Sequence, residues 1–205
     1  MVRITKDPQV RMTEILDAAE ELFYVRGYHE TAVSDIVKSN GVAQGTFYYY
    51  FKSKEEVLEA LINRQISKFI FELEKVVSAD GMTPPRKLEL FVQTMFHTIH
   101  YKDGLLFEFL FNDQHLHLLD KLRRQGKQLV MPLLLRIIEE GEQNKAFTVI
   151  NSHVALVFVG GILNCLFDAV YEKLPDALFE QHVKMATILL EKNVGLPENS
   201  LNIQL

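Results

Sequence analysis

Three consecutive tyrosines stand between two phenylalanines in the segment "GVAQGTFYYYFKSK", residues 41–54. A tyrosine hydroxyl donates hydrogen bonds to phosphate oxygens, and the ring can lie against a sugar or a thymine methyl. Gln44 offers the paired donor and acceptor that match an adenine edge, and Lys52 and Lys54 add positive charge that favours phosphate. The residue types of this segment therefore indicate contact with DNA.

A short helix over residues 43–51 is expected to position these side chains. Phe47 and Phe51 are four residues apart, so they share one face of a helix and are predicted to lie in a core. The other side chains then face outward, and Gly45 lets another backbone approach closely. The outward positions predicted to contact DNA are Gln44, Gly45, Thr46, Tyr48, Tyr49 and Tyr50.

A second short helix precedes this one, over residues 31–39, with Thr31 as its predicted cap. The turn Ser39-Asn40-Gly41 joins the two, which is the spacing of a helix-turn-helix. Residues 1–54 carry seven basic and seven acidic side chains, but none of the acids lies between residues 43 and 54. The predicted basic surface is therefore local.

The totals restrict the class of protein. The 205 residues carry a net charge of -5, so the chain as a whole is not suited to non-specific binding of nucleic acid. Its single cysteine, Cys165, cannot form an internal disulfide, which fits a reducing compartment. The longest apolar stretch, residues 153–170, is shorter than a typical spanning helix of about 20 residues. We expect a cytoplasmic protein with no membrane partner.

Apolar residues recur with i, i+3, i+4 spacing along most of the chain, which predicts an all-α protein of about nine helices. Ser53 and Glu56 form a capping box that opens a long fourth helix. The predicted domains are a DNA-binding domain over 1–55, a helical effector-binding and dimerisation domain over 56–196, and a loose tail over 197–205.

Residues 12–58 resemble the N-terminal DNA-binding region of the tetracycline-repressor (TetR) family of transcriptional regulators. The segments that carry the resemblance are "ILDAAEELFYVRGYHETAVSDIV", "NGVAQGTFYYYF" and "KSKEEVL". It implies a homodimer with two recognition helices in successive major grooves, and repression released by a small molecule. The positions that match usual DNA contacts of the family are Thr31, Gln44, Thr46, Tyr48, Tyr49, Tyr50 and Lys54.

Two positions depart from the family pattern. Many relatives have Ser or Thr where Ala43 stands, so the recognition helix is expected to lack that side-chain cap. Many also have His where Tyr50 stands, which changes the donor that is offered to a phosphate.

The middle of the second domain is rich in aromatic and polar residues, which favours a largely apolar pocket for a small, partly apolar effector. Four histidines between residues 97 and 117 raise a metal effector as an alternative, but no cysteine or HExxH motif accompanies them. No cofactor is predicted. The predicted ligand contacts are His97, His100, Tyr101, Phe107, Phe111, Asn112, His115, Asn164 and Asp168.

The last two helices are predicted to form the dimer contact, because they carry too many apolar residues to bury on one side. The alternative is a centrally packed helix in a monomer. The predicted interface residues are Val157, Gly160, Gly161, Phe167, Val183, Ala186 and Leu190.

Two other functional classes remain as alternatives. An enzyme requires a nucleophile with a base in one cleft, but Cys165 lies in an apolar stretch with no lysine or arginine close in sequence. A helical metal- or ligand-binding protein without a DNA role would leave the outward tyrosines unexplained. We therefore expect a regulator and not an enzyme.

Overall fold

The computed structural model describes residues 7–100 and 116–205, with side-chain detail in 7–97 and 124–205. Within these ranges the chain forms eight α-helices and no strand, which confirms the all-α prediction. The helices are α1 (Pro8–Arg26), α2 (Val33–Asn40), α3 (Gln44–Tyr50), α4 (Lys54–Val77), α5 (Pro84–His100), α6 (Leu116–Gln143), α7 (Ser152–Tyr171) and α8 (Asp176–Val194).

The chain divides into two compact units, Met1–Ser67 and Lys68–Leu205. The division falls inside α4, later than the predicted boundary at residue 55. At the start of α4 the hydroxyl of Ser53 accepts a hydrogen bond from the N–H of Glu56, 3.2 Å away. The Glu56 carboxylate accepts in return from the N–H of Lys52, at 2.5 Å, one residue before the partner of a standard capping box.

The first unit packs α1, α2 and α3 with the first turns of α4. Its core includes Ile15, Ile36 and Phe47, which are fully buried. Arg64 of α4 reaches two acidic residues of α1, with 2.6 Å to Asp17 and 2.7 Å to a carboxylate oxygen of Glu20. Apolar burial therefore supplies most of the stability of this unit, and the ion pairs fix the register of α1 against α4.

A buried ion pair lies within the second unit. The ammonium of Lys87 donates to both carboxylate oxygens of Glu140, at 2.9 and 3.0 Å, and to the carbonyl of Val77 at 3.0 Å. The three acceptors satisfy the three N–H groups of a lysine that is buried among apolar side chains. The contact ties the end of α4 to α5 and α6.

Helix α6 contains Gly126 and Pro132, which from sequence predict either a kink or a break. The helix is continuous from Leu116 to Gln143 with Pro132 inside it. Buried residues before and after the proline, Val130 on one side and Leu134 and Ile138 on the other, hold the helix in the core. Tertiary packing therefore outweighs the loss of one hydrogen bond at the proline.

The C-terminal segment after α8 packs on the second unit. Leu201 and Ile203 are buried in its hydrophobic core, and the residues between and after them, Asn202 and Gln204, are exposed. This alternation places the apolar side chains on one side of an extended chain. The predicted loose tail over 197–205 is therefore wrong, because its apolar period of two buries every other residue.

Two buried carboxylates hold the backbone of this segment. Glu191 accepts hydrogen bonds from the N–H groups of Leu201 and Asn199, at 2.9 and 3.2 Å. Glu89 accepts from the N–H of Asn202 at 2.5 Å and is also paired with Arg86. The backbone N–H groups of this segment thus donate the hydrogen bonds that offset the cost of burying the carboxylates of Glu191 and Glu89.

Of the helices in the described ranges, one, α7, has the length and apolar composition needed to cross a membrane. Core helices of globular proteins pass the same test. One side of α7 is buried in the second unit, through Val159, Leu163 and Leu166.

Candidate nucleic-acid interface

A tight turn joins α2 to α3. Gly41 ends α2 in the left-handed conformation, with φ of 64°, and its N–H donates to carbonyls of the last turn of α2. Helix α3 begins after Ala43, which makes no side-chain capping bond, as its residue type predicts. The predicted helix-turn-helix is present, with a glycine where the turn needs a positive φ.

Helix α3 divides into an inner and an outer face. Phe47 and Phe51 are buried, as predicted, and their rings lie 6.0 Å apart. Tyr49 is 79% exposed, and its ring meets the edge of Tyr50 at 4.9 Å. Gln44, Gly45 and Tyr48 are also exposed, whereas Thr46 and Tyr50 are half-buried.

Gly45 lies in open space. A Cβ atom built on this residue would meet nothing within 4 Å, and its backbone has an ordinary helical φ. No contact within the described chain therefore requires glycine at this position.

Thr31 does not face outward. It is buried, and its hydroxyl donates to the carbonyl of Gly27 at 2.8 Å. The N-cap of α2 is Ala32, whose N–H donates to the carboxylate of Asp35 at 2.9 Å. The capping role predicted for Thr31 is wrong, because its hydroxyl is engaged with the end of α1.

Lys54 is also turned inward, while Lys52 is exposed. The Lys54 ammonium donates to the carbonyls of Tyr28 at 2.6 Å and Thr31 at 2.8 Å, with His29 at 3.4 Å. It lies 4.1 Å from the centroid of the Tyr28 ring. Of the predicted DNA contacts, Thr31 thus lies in the loop between α1 and α2, and Lys54, at the start of α4, donates hydrogen bonds to that loop.

Partial burial around Lys54 acts on two ionisable groups. Burial lowers the pKa of the Lys54 ammonium, and the negative charge of Glu30 opposes that shift. Burial also raises the pKa of the Tyr28 hydroxyl, and the charge of Glu55 adds to the increase. Both pKa shifts have the same main cause, because the Lys54 ammonium and the Tyr28 ring are partly removed from water where they contact each other.

Comparison with known proteins agrees with this geometry. Residues 15–61 match the family described as "Bacterial regulatory proteins, tetR family". The chain is 37% identical over 91 residues to the fatty acid metabolism regulator protein of Bacillus subtilis (strain 168), a match that covers 44% of this chain and 46% of that protein. It is 27% identical over 139 residues to the transcriptional repressor KstR2 of Rhodococcus jostii (strain RHA1), covering 64% and 67%.

Solved structures extend the likeness to the second unit. The transcriptional regulator FadR from Bacillus subtilis, solved with stearoyl-CoA, is 26% identical, with 89% of this chain and 97% of that chain covered and a TM-score of 0.60. A TetR/AcrR-family regulator from Thermobifida fusca is 23% identical with a TM-score of 0.66 over 88% and 97% of the two chains, and shows the fold alone. Residues 15–61 belong to the tetR family of bacterial regulatory proteins. The sequence match nevertheless spans only about half the length of the first of these relatives.

The predicted dimer residues fall into two groups. Val157 and Gly161 are exposed on α7, and Gly160 is half-buried against Met131. The other four pack in the second unit: Ala186 and Leu190 are buried, Val183 is half-buried against the core, and the half-buried Phe167 ring stacks on Phe96 with centroids 4.6 Å apart. Ala186 and Leu190 therefore leave little exposed surface for a second subunit, because they lie in the core of their own chain.

A different set of apolar side chains is exposed on the last two helices, and the sequence prediction missed most of it. Their spacing places each set on one helix face. On α7 the set comprises Val154, Val157 and Phe158, and on α8 Met185 and Leu189. We call these five residues the apolar stripe. In the sequence, each of the two helices has a second set of apolar residues on a face other than the one that packs in the core. That second set is the pattern from which the stripe could have been predicted.

Most of the predicted effector contacts lie outside the described residues: Tyr101, Phe107, Phe111, Asn112 and His115 have no described backbone, and His100 no described side chain. His97 is exposed. Asn164 and Asp168 are exposed on α7, seven residues after Val157 and Gly161, so they lie on the side of the apolar stripe. The predicted effector pocket therefore stays a prediction.

Proposed function

We propose that this protein is a cytoplasmic, ligand-responsive repressor of transcription that binds operator DNA as a homodimer. The observation that carries the proposal is the outer face of α3, where Gln44, Gly45, Tyr48 and Tyr49 are exposed on a segment without acidic residues. Hydroxyl and amide groups on the second helix of a helix-turn-helix suit a major groove. The match of residues 15–61 to the tetR family supports the same role.

The apolar stripe supports a homodimer. Phe158 is 61% exposed and Val157 is 71% exposed, although both lie in the middle of a helix. Contiguous exposed apolar side chains on neighbouring helices are typical of protein interfaces. A two-fold axis would bury the stripe against its own copy and would present two α3 helices to successive half-sites of DNA.

The relatives favour an effector with a long apolar part. One is named a fatty acid metabolism regulator, and another was solved with stearoyl-CoA. We propose a fatty acyl-CoA as the first candidate. The effector releases the operator by preferring a state of the dimer in which the two α3 helices no longer match both half-sites, and a preference of a few kcal/mol suffices.

Stearoyl-CoA is expected to release the protein from a duplex of its own promoter region. A gel shift titrated with stearoyl-CoA should show the complex disappearing, because a ligand that prefers the released state by about 2.7 kcal/mol weakens binding roughly a hundredfold. Coenzyme A without an acyl chain is the control and should leave the complex intact. Equal effects of both compounds, or no effect of either, would exclude an acyl-CoA effector and leave the DNA-binding role standing.

Gly45→Ala is expected to weaken operator binding while leaving the fold intact. The added methyl meets nothing in the chain, and alanine favours the helix by about 0.5–1 kcal/mol over glycine. Against a groove the same methyl overpacks a close contact, at a cost of about 1–3 kcal/mol, or roughly 5- to 150-fold in affinity. Fluorescence anisotropy with the promoter duplex measures the loss, and thermal unfolding checks the fold.

Gly126→Ala is the matched control. Gly126 also lies within a helix, and a Cβ atom there also meets nothing within 4 Å. This variant should be at least as stable as the parent and should bind the promoter duplex unchanged. If Gly45→Ala bound as tightly as Gly126→Ala, the outer face of α3 would not lie in a DNA groove.

A further inference from the structure

The loop between α1 and α2, residues 27–32, is held from inside by two side chains whose types suit DNA. The Thr31 hydroxyl donates to the carbonyl of Gly27, at the end of α1. The Lys54 ammonium enters from the start of α4 and binds the carbonyls of Tyr28 and Thr31, which stand 26 and 23 residues earlier in the chain. The end of α1, the loop and the start of α4 are therefore connected around Thr31 and the Lys54 ammonium.

The donors of Lys54 are occupied. An ammonium has three N–H donors and no acceptor. Three carbonyl oxygens lie 2.6, 2.8 and 3.4 Å from the Lys54 nitrogen, and the face of the Tyr28 ring lies beside it. A phosphate oxygen could take one of these donors only by leaving a loop carbonyl without its partner, and such groups are costly to leave unpaired.

The position of the loop sets the start of α2. Ala32, the last residue of the loop, is the N-cap of α2, and α2 leads through a three-residue turn to α3. Ile36 of α2 and Phe47 of α3 are both fully buried in the same unit, so a shift of the loop moves the two helices against their core. The position of the loop is therefore coupled, through α2, to the position of α3 in the first unit.

We infer that Lys54 is a positioning residue, which latches the loop over residues 27–32 and so sets α2 and α3, and that it is not a phosphate ligand. The latch itself is a property of the folded chain. Its consequence for DNA rests on the proposed function, so the two need separate measurements.

The latch is tested on the unaltered protein without DNA. Acetylation with an N-hydroxysuccinimide ester at several pH values, followed by mass spectrometry, gives each lysine a rate per neutral amine, which removes the effect of the lowered pKa of Lys54. That rate should be about tenfold lower at Lys54 than at exposed Lys52, because the Lys54 nitrogen must first leave its carbonyl partners. Equal rates per neutral amine at the two lysines would overturn the latch. This result is decisive even if the protein binds no DNA, in which case only the proposed function fails.

The consequence for DNA is tested with Lys54→Met, using the promoter duplex and a random duplex at several salt concentrations. A lost phosphate contact would lower the magnitude of the slope of log affinity against log salt by about 0.9 per subunit, or about 1.8 for the proposed dimer, and weaken both duplexes alike. A lost latch leaves the slope unchanged and reduces the preference for the promoter duplex, by about tenfold for a bond to a charged group. A slope lowered by about 1.8 with the preference retained would make Lys54 a phosphate ligand.

Discussion

Phe158→Glu is expected to convert the protein from a dimer into a monomer. The side chain is 61% exposed in the single chain and is the largest of the α7 part of the apolar stripe. In a two-fold interface the substitution removes two aromatic anchors and buries two unpaired carboxylates, each at a cost of about 3–5 kcal/mol. Light scattering coupled to gel filtration should show the mass fall from twice the chain mass of 23.7 kDa to that mass.

The same variant should lose operator binding, because a monomer presents one α3 where the operator needs two. Linking two sites raises affinity by about 10²–10⁴, so the loss should be at least a hundredfold. Folding is unaffected, since the side chain is not part of the core of its own chain.

Phe71→Glu provides the matched control. Phe71 is a phenylalanine of similar exposure, 57%, and lies on α4 with the ammonium of Lys75 over its ring. The same change of residue type should leave both the dimer and DNA binding intact. If Phe158→Glu remained dimeric at micromolar concentration, the apolar stripe would not be the subunit interface.

Local patterns were sufficient to predict the helix-turn-helix. The four-residue spacing of Phe47 and Phe51 fixed the inner face of α3, and so its outer face. Gly41 marked the turn because few other residues adopt its positive φ. Each of these signals acts over one or two helical turns, which is the range that periodicity and capping can report.

The role of Lys54 could not be predicted in this way. A lysine that suits a phosphate oxygen also suits a backbone carbonyl, and residue type does not distinguish the two acceptors. The carbonyls that it binds belong to Tyr28 and Thr31, more than twenty residues away. Only the packed unit shows that the start of α4 lies beside the loop after α1.

The last two helices show a second limit. Both faces of α7 are apolar, so the helical period indicates two candidate core faces and cannot choose between them. In the folded chain Val159, Leu163 and Leu166 are buried, while Val157 and Phe158 are exposed. The choice depends on which face meets α6 and α8, and that is decided by the tertiary packing.

Deletion of the last seven residues, 199–205, is expected to destabilise the protein by at least 3–5 kcal/mol, about the cost of leaving buried charge unpaired. The deletion removes both hydrogen bonds that the chain end donates to Glu191, which is 2% exposed. It also removes the N–H that Glu89 accepts from Asn202, and the burial of Leu201 and Ile203. Urea unfolding followed by circular dichroism measures the change in the free energy of unfolding.

Two single variants separate the contribution of burial from that of chain length. Leu201→Ala should cost about 2–3 kcal/mol, because it leaves a cavity in the core at the site of a buried leucine. Gln204→Ala, at an exposed position of the same segment, should stay within about 0.5 kcal/mol of the parent. An unchanged stability in the deletion would mean that the segment is not bound in solution. The carboxylate of Glu191 would then be solvated or paired with other donors, since a carboxylate buried without donors is costly, whereas Glu89 keeps its ion pair with Arg86.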